Sequence, residues 1–496
     1  MTCRTFCCES GVKSNMNRKM VFNTLGLMLK FEAAMLALPA IVALGYGEPC
    51  VVALLITAAI SLALGVVLQL FNRPESNVIY AREGFVMAGL SWLMVSAIGA
   101  LPFVLSGEVP GYVDAFFETV SGFTTTGASI LTDVEAMSHG LLFWRSFTHW
   151  VGGMGVLVFV MALVPNMSDR SIHIMRAEMP GPVIGKLLPR AKDTASILYK
   201  IYIVMTLVQI VLMVLGGMPL FESVLHAFGT AGTGGFGIKR DSIAGYSPYL
   251  QWVITVFMFL FGVNFNLYYL LLARKFRAAL QCSECWYYTG IALVSSALIA
   301  INIYPMYGNI SDTIRHSAFQ VSSIMTTTGY ATTDFNLWPQ FSKTLLLVLM
   351  LGGACAGSTG GGLKISREVM LFKMIGTEIR RLLHPRSVSS VRFEGKVVDV
   401  TTQRAVGNYF AIYAICLVSV WLLISLDHFD IETNLAATFS CFNNIGPALG
   451  AAGPAASYAG YSNLSKIVLS LAMLLGRLEI FPLLLTLMPS TWTSRS

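Results

Sequence analysis

Gly122-Phe123-Thr124-Thr125-Thr126-Gly127-Ala128-Ser129 and Thr326-Thr327-Thr328-Gly329-Tyr330 decide how this chain is read. A single Thr-Thr-Thr-Gly is weak evidence, because both residue types are common where helices end. Two copies with two divergent relatives between and after them are stronger. Thr233-Gly234-Gly235-Phe236 and Asn443-Asn444-Ile445-Gly446 stand at the matching places, at intervals of roughly 100 residues, which is the spacing of one module used four times.

Each of these stretches closes a short segment between two long apolar runs. The first unit has runs at 86–104 and 141–164 around a middle segment at 113–129. The second has 197–218 and 250–272 around 221–237, the third 287–303 and 345–374 around 312–332, and the fourth 409–426 and 467–487 around 431–450. Two further apolar runs, 24–46 and 51–71, precede them. Runs of this length span a bilayer, whereas the middle segments are too short and too polar to do so. The middle segments are therefore expected to be re-entrant, a helix descending and an extended stretch returning. Such backbone is tolerated at membrane depth only where protein surrounds it or where it lines a wet cavity.

The expected fold is an all-α integral membrane protein with about ten transmembrane helices: a leading pair and four pseudo-symmetric helix–loop–helix repeats around one pore. The division along the chain is a cytoplasmic segment at 1–23, the leading pair at 24–82, and repeats at 83–192, 193–278, 279–403 and 404–496, the third carrying a glycine-rich intramembrane loop. Composition agrees, with 55% hydrophobic and 12% charged residues, where soluble domains carry about 25% charge. The net charge of +7 is concentrated at Arg4–Lys19, Arg73 and Arg82, 170–192, Arg274–Arg277 and 364–404. The bias of Lys and Arg toward the cytoplasm places those segments, and both termini, inside. Because these charges flank spans, a nucleic-acid partner is not expected; the lipid bilayer is. Of the nine cysteines, Cys3, Cys7, Cys8, Cys282 and Cys285 fall on the inferred cytoplasmic side, where thiols stay reduced. Cys282 and Cys285 have half the spacing of a zinc site without a second half.

A dehydrated alkali cation needs a cage of oxygens, which rings of backbone carbonyls supply. Glycine permits the dihedrals that align successive carbonyls, and threonine adds a hydroxyl acceptor. The helices expected at 115–123 and 315–325 aim negative C-terminal ends inward, and no Lys or Arg stands at the crucial loop positions. Residue chemistry does not separate K⁺ from Na⁺. The candidate ion ligands are Thr125, Thr126, Gly127, Thr233, Gly234, Thr327, Thr328, Gly329, Asn444, Ile445 and Gly446, with Gly127, Gly234, Gly329 and Gly446 as the aligned glycines.

The second run of the third unit is interrupted by Gly352-Gly353-Ala354-Cys355-Ala356-Gly357-Ser358-Thr359-Gly360-Gly361-Gly362, six glycines in eleven residues. At roughly 1 kcal/mol per interior glycine a helix is not expected to persist. Close packing, a kink, or a flexible gate loop would each use such a stretch. It is not a phosphate loop, because Leu363 separates the last glycine from Lys364 and no strand precedes it. Arg477 lies in the last apolar run, where an ionisable group marks a pathway or needs a partner; Glu479 is a candidate partner. HExxH and GxSxG patterns are missing, so nothing in the sequence points to an enzyme.

The four loops resemble the filter segments of the Trk/Ktr/HKT superfamily of potassium transporters, over about residues 25 to 490. His149-Trp150-Val151-Gly152-Gly153-Met154-Gly155, 352–364 and Gly476-Arg477-Leu478-Glu479-Ile480-Phe481 are similar to its other signatures, and the extra leading helix pair resembles the bacterial TrkH type of membrane subunit. The second loop, reading Ala231-Gly232-Thr233, and the fourth, with Ala448 after Gly446-Pro447, depart from the usual pattern. The resemblance implies K⁺ as the transported ion, and a gate at Gly352, Gly353, Gly357, Ser358, Thr359, Gly360, Gly361 and Gly362 with Arg477 as an opposing pore charge. It also implies a homodimer in a bacterial inner membrane and a separate cytosolic nucleotide-binding regulatory subunit of TrkA type, with no nucleotide site in this chain. Gated K⁺ uptake is the leading function, and symport of K⁺ with H⁺ or Na⁺ the alternative.

Overall fold

The computed structural model describes residues 16–74, 81–155, 191–386 and 389–492. The cysteines at 3, 7 and 8, the basic stretch 170–190 and the far half of the run 141–164 lie outside them. Helices α1 (Arg18–Met35) and α2 (Ala37–Tyr46) form one crossing, and α3 (Cys50–Phe71) returns beside it. Gly26 and Gly65 bring the two together: a Cβ on either would stand 2.7 Å from the other's carbonyl oxygen. Lipid tails give apolar helices no hydrophobic reason to associate, so close backbone approach has to supply the contact.

The four expected units share one order of elements. The first contains α4 (Ala81–Gly99), α5 (Leu101–Leu105), α6 (Tyr112–Phe123) and α7 (His139–Gly153). The second contains α8 (Ala191–Leu215), α9 (Leu220–Gly232), α10 (Pro248–Phe261), α11 (Phe265–Leu272) and the short α12 (Phe276–Leu280). In the third are α13 (Ser283–Tyr307), α14 (Ile310–Met325), α15 (Gln340–Leu351) and α16 (Ile365–Leu383). A hairpin of β1 (Arg392–Phe393) and β2 (Lys396–Val397) follows. The fourth contains α17 (Val400–Ile424), α18 (Ile431–Phe442), α19 (Asn463–Arg477), α20 (Phe481–Leu487) and α21 (Pro489–Trp492).

The short helices α6, α9, α14 and α18 each carry an acid in the first turn: Asp114, Glu222, Asp312 and Glu432. These carboxylates suit the positive helix start, while the negative ends, free of basic residues, point to the loops. Around that centre the usual distribution of polarity is reversed. Ser121, Thr124, Thr230, Ser323, Thr326, Thr438 and Ser440 are buried, whereas Leu207, Val211, Leu293, Ile301, Ile415 and Leu422 are exposed. An apolar exterior around a polar interior suits lipid as the solvent.

Among the described residues, six unbroken spans are long and apolar enough to cross a membrane, namely the leading pair and the first helix of each unit. Of the expected transmembrane helices, the sequence marks only the second one of the third unit as interrupted; those of the second and fourth units are broken as well. The run 250–272 bends by 90° between α10 and α11. The run 467–487 breaks at Leu478-Glu479-Ile480, where Glu479 and Ile480 have φ of 52° and 69°. Helix α7 likewise stops at Gly153. At the ends of α7 and α19 the backbone packs closely at the centre: a Cβ on Gly152 would meet the Phe123 oxygen at 1.8 Å, and one on Gly476 the Phe442 oxygen at 1.9 Å.

Candidate functional site

Each short helix runs into its loop through the same hydrogen bonds. The amides of Thr125, Thr233, Thr327 and Asn444 donate to the carbonyls three residues back (Gly122, Thr230, Ile324, Cys441), and those of Thr126, Gly234, Thr328 and Ile445 to the carbonyls five back (Ser121, Gly229, Ser323, Ser440). Thr125, Thr233, Thr327 and Asn444 all have φ between 55° and 60°, and two residues later Gly127, Gly235, Gly329 and Gly446 again have positive φ. The sequence expectation was therefore one residue out in the second loop. The counterpart of Gly127, Gly329 and Gly446 is Gly235, and Gly234 occupies the place of Thr126, Thr328 and Ile445.

The four loops close on one another. A Cβ on Gly127 would lie 1.9 Å from the Gly234 oxygen, on Gly235 1.9 Å from that of Thr328, on Gly329 2.0 Å from that of Ile445, and on Gly446 2.7 Å from that of Thr126. Every aligned glycine thus abuts the carbonyl of the next loop, and the fourth returns to the first. Only glycine allows both the positive φ and this approach. The result is a ring in which four equivalent carbonyls, of Thr126, Gly234, Thr328 and Ile445, each lie against the glycine of a neighbouring loop. Among the described residues no group of His, Cys, Asp or Glu is suited to hold a metal.

Side chains brace the ring from behind. Thr124 bonds Thr126, and Thr326 bonds Thr328, at 2.8 Å each between hydroxyls. Asn444 Nδ2 donates to Thr126 Oγ1 and to the Met473 carbonyl, both at 2.9 Å. His149 Nδ1 donates to the Gly122 carbonyl at 2.8 Å, leaving Nε2 to accept from the Phe236 amide at 3.3 Å, so one imidazole straps the first loop to the second. Arg145 is buried, pairs with Glu118 at 2.5 Å, donates to the Gly237 carbonyl at 2.9 Å and lies over the Phe236 ring. Glu118 also accepts from Ser129 and the Ile130 amide. A cavity of about 240 Å³, roomy enough for several waters, opens over the loops, and Gly127, Gly235, Gly329 and Gly446 all line it.

On the opposite side of the ring the glycine-rich segment forms a lobe. Gly353 and Gly362 pair as an antiparallel bridge at its neck, next to Gly352, which ends α15. Gly357 accepts from the Phe265 amide at 3.0 Å, Ser358 Oγ donates to Cys355, and Thr359 Oγ1 donates to Phe261. The Gly361 amide donates to the Thr327 hydroxyl at 2.7 Å, joining the lobe directly to a candidate ion ligand. Lys364 Nζ donates to the Gly360 and Gly361 carbonyls. Arg477 reaches the Thr359 carbonyl at 2.8 Å and those of Gly152 and Gly153 at 2.5 and 2.6 Å. The residual space there, lined by Gly153, Gly357, Gly361 and Arg477 among others, is about 30 Å³, room for only a few waters. The suggested pairing of Arg477 with Glu479 is corrected: Glu479 pairs with Arg367, which stacks on Tyr409.

The residues the sequence reading missed are Arg145, Glu118 and Lys364, with His149 quoted but given no role. Arg145 and Glu118 are 27 positions apart, so only their isolation within apolar surroundings was available as a signal.

The family described as a cation transport protein, TrkH, matches residues 52–288 and 304–495. The Trk system potassium uptake protein TrkH of Salmonella typhimurium is 35% identical over 485 residues, covering 96% of this chain and 100% of its own. The Trk system potassium uptake protein TrkG of Escherichia coli is 32% identical, over 96% and 99%. The crystal structure of the potassium transporter TrkH from Vibrio parahaemolyticus superposes with a TM-score of 0.87 at 31% identity, over 96% of this chain and 100% of that one. With four loops closed into one ring, and likeness along nearly its whole length, the chain belongs to the TrkH family of cation transport proteins.

Proposed function

We propose that this chain takes up K⁺ through a central pore, with the four loops as its selectivity filter and the lobe at 352–362 as its gate. The observation that carries the reading is the closed ring, in which Gly127, Gly235, Gly329 and Gly446 each abut the next loop's carbonyl. K⁺ is the substrate; the loop carbonyls take over from its hydration shell. The lobe, held by Arg477 and Lys364, occupies the route below the ring and puts two positive charges there, which oppose a cation until the lobe moves. The potassium uptake function named for the relatives supports this ion.

The proposal extends to a homodimer in a bacterial inner membrane, with both termini cytoplasmic, regulated by a separate cytosolic nucleotide-binding subunit of TrkA type. Reporter fusions at Met1 and Ser496 should both report inside. The central experiment is ⁸⁶Rb⁺ uptake by proteoliposomes with Na⁺ as competitor. Uptake driven by the K⁺ gradient alone and weakly inhibited by Na⁺ is expected. Uptake that requires an H⁺ or Na⁺ gradient would replace the pore with a symporter.

A further inference from the structure

Glu284 is the second residue of α13 and only 2% exposed. A buried carboxylate is costly unless hydrogen bonds satisfy it. Its Oε1 accepts from the Ala356 amide at 2.7 Å and from the Ser366 amide at 3.1 Å. Ala356 is on the descending limb of the glycine-rich lobe, and Ser366 is in the first turn of α16, just past the ascending limb. One carboxylate therefore holds both sides of the lobe, and does so from a different helix of the same unit. Its acceptor strength suits the task, because backbone amides bind an ionised oxygen about twice as strongly as a neutral one, and Ser366 adds the positive end of α16.

The position of Glu284 matters as much as its bonds. The bridge between Gly353 and Gly362 closes the neck of the lobe from within. Glu284 ties the same region to the start of α13, on the face where the basic links lie. There Cys282 stands 3.7 Å from Glu394 in the turn of the β1–β2 hairpin, and Lys373 of α16 donates to the Arg392 carbonyl of that hairpin at 3.0 Å. The hairpin thus touches both elements that Glu284 joins.

We propose that Glu284 is the positioning residue of the gate: it fixes the shoulders of the lobe at Ala356 and Ser366, so that motion is confined to 357–362 and the closed position is set from the start of α13. The inference rests on the gate reading above. Without the carboxylate, the half-buried Ala356 amide and the buried Ser366 amide lose their acceptor and the shoulders are free to shift, which weakens the contacts of Arg477 and Gly361 at the tip.

The test measures ⁸⁶Rb⁺ flux of the full chain in proteoliposomes without any regulatory subunit. Glu284→Ala and Glu284→Gln are each made with the lobe intact and with 357–361 deleted. Glu284→Ala is expected to raise basal flux about tenfold with the lobe intact, the effect of losing charge-assisted hydrogen bonds from the closed state, and to change nothing when the lobe is deleted. Glu284→Gln, whose neutral amide oxygen still accepts both bonds but about half as strongly, is expected to fall between the parent and Glu284→Ala. A purely structural role would lower flux by the same factor in both backgrounds, and that result overturns the proposal. So does a Glu284→Gln variant as leaky as Glu284→Ala, or an unchanged basal flux in Glu284→Ala while deletion of the lobe still opens the pore. If deletion itself leaves basal flux unchanged, the gate reading fails and this inference fails with it.

Discussion

Replacing Gly329 by serine tests the ring at one joint. Gly329 has φ of 87°, and its Cβ would lie 2.0 Å from the Ile445 carbonyl oxygen and 2.8 Å from Pro447 Cδ. Ordinary contact begins at 3.4 Å, so the Ile445 carbonyl or the Gly329 backbone must move by about 1.4 Å in a region packed without slack. Positive φ adds about 1–2 kcal/mol of strain for any residue with a Cβ. Discrimination between two cations is a small difference: tenfold selectivity is only about 1.4 kcal/mol. A carbonyl displaced by more than an ångström should therefore remove at least about tenfold of the K⁺ over Na⁺ preference. The control is Gly352→Ser, whose Cβ would meet nothing closer than the Leu349 oxygen at 3.3 Å, without positive φ, and whose preference should stay at that of the parent. Both ratios come from reversal potentials under bi-ionic K⁺ and Na⁺ gradients, on protein that elutes as the parent does. An unaltered ratio in a conducting Gly329→Ser variant would refute the reasoning that these carbonyls select the ion.

Further expectations concern the lobe, the brace and the cytoplasmic surface. Arg477→Ala and a deletion of 357–361 should each raise basal ⁸⁶Rb⁺ flux, and the double variant should add little, because both remove the bond between Arg477 and Thr359; fully additive increases would show two independent barriers. Arg145→Met should lower stability by about 3–5 kcal/mol by stranding Glu118, with part recovered in Arg145→Met/Glu118→Leu; thermal unfolding in detergent checks this, and no recovery would mean that the pair contributes more than mutual neutralisation. Burial, with Glu394 and Glu284 nearby, pushes the Cys282 thiol up to about 11. It is therefore neutral at pH 7, and its maleimide labelling, followed by mass spectrometry, should rise about tenfold per pH unit from 7 to 9; a plateau near pH 8.5 would contradict the assigned environment.

The sequence disclosed what is local. Clusters of Thr and Gly at recurring intervals marked the four loops, and apolar runs marked the membrane class and the first helix of each unit. The second loop was misaligned by one residue because Thr233-Gly234-Gly235 offers two adjacent glycines, and only φ and the amide pattern separate their roles. The breaks at Gly262–Asn264 and Leu478–Ile480 interrupt runs that are apolar on either side, and their polar residues, Asn264 and Glu479, were signals left unread: Asn264 caps the helix that follows the first break, and Glu479 has positive φ at the second. Glu118 with Arg145, and Lys364 with Gly360, were illegible for another reason. A charge in an apolar run announces that it has a partner without saying which. Arg477 shows the hazard, since its neighbour Glu479 turned to Arg367 instead.

The cyclic dependence of the four loops also bears on how the protein is made. The Thr126 carbonyl faces Gly446, so the last joint of the ring awaits a residue synthesised 446 − 126 = 320 positions later. At ribosomal speeds of about 5–20 residues per second this is roughly 16–64 s. For that interval the first loop sits in the membrane without its final neighbour. The strap from His149 to Gly122 and the bond between Thr124 and Thr126 are formed within the first unit, and so hold that loop in shape while it waits. The leading pair of helices, made first, packs on α4, α5 and α7, so the first unit has its outer neighbours from the start, whereas its contacts with the fourth come last.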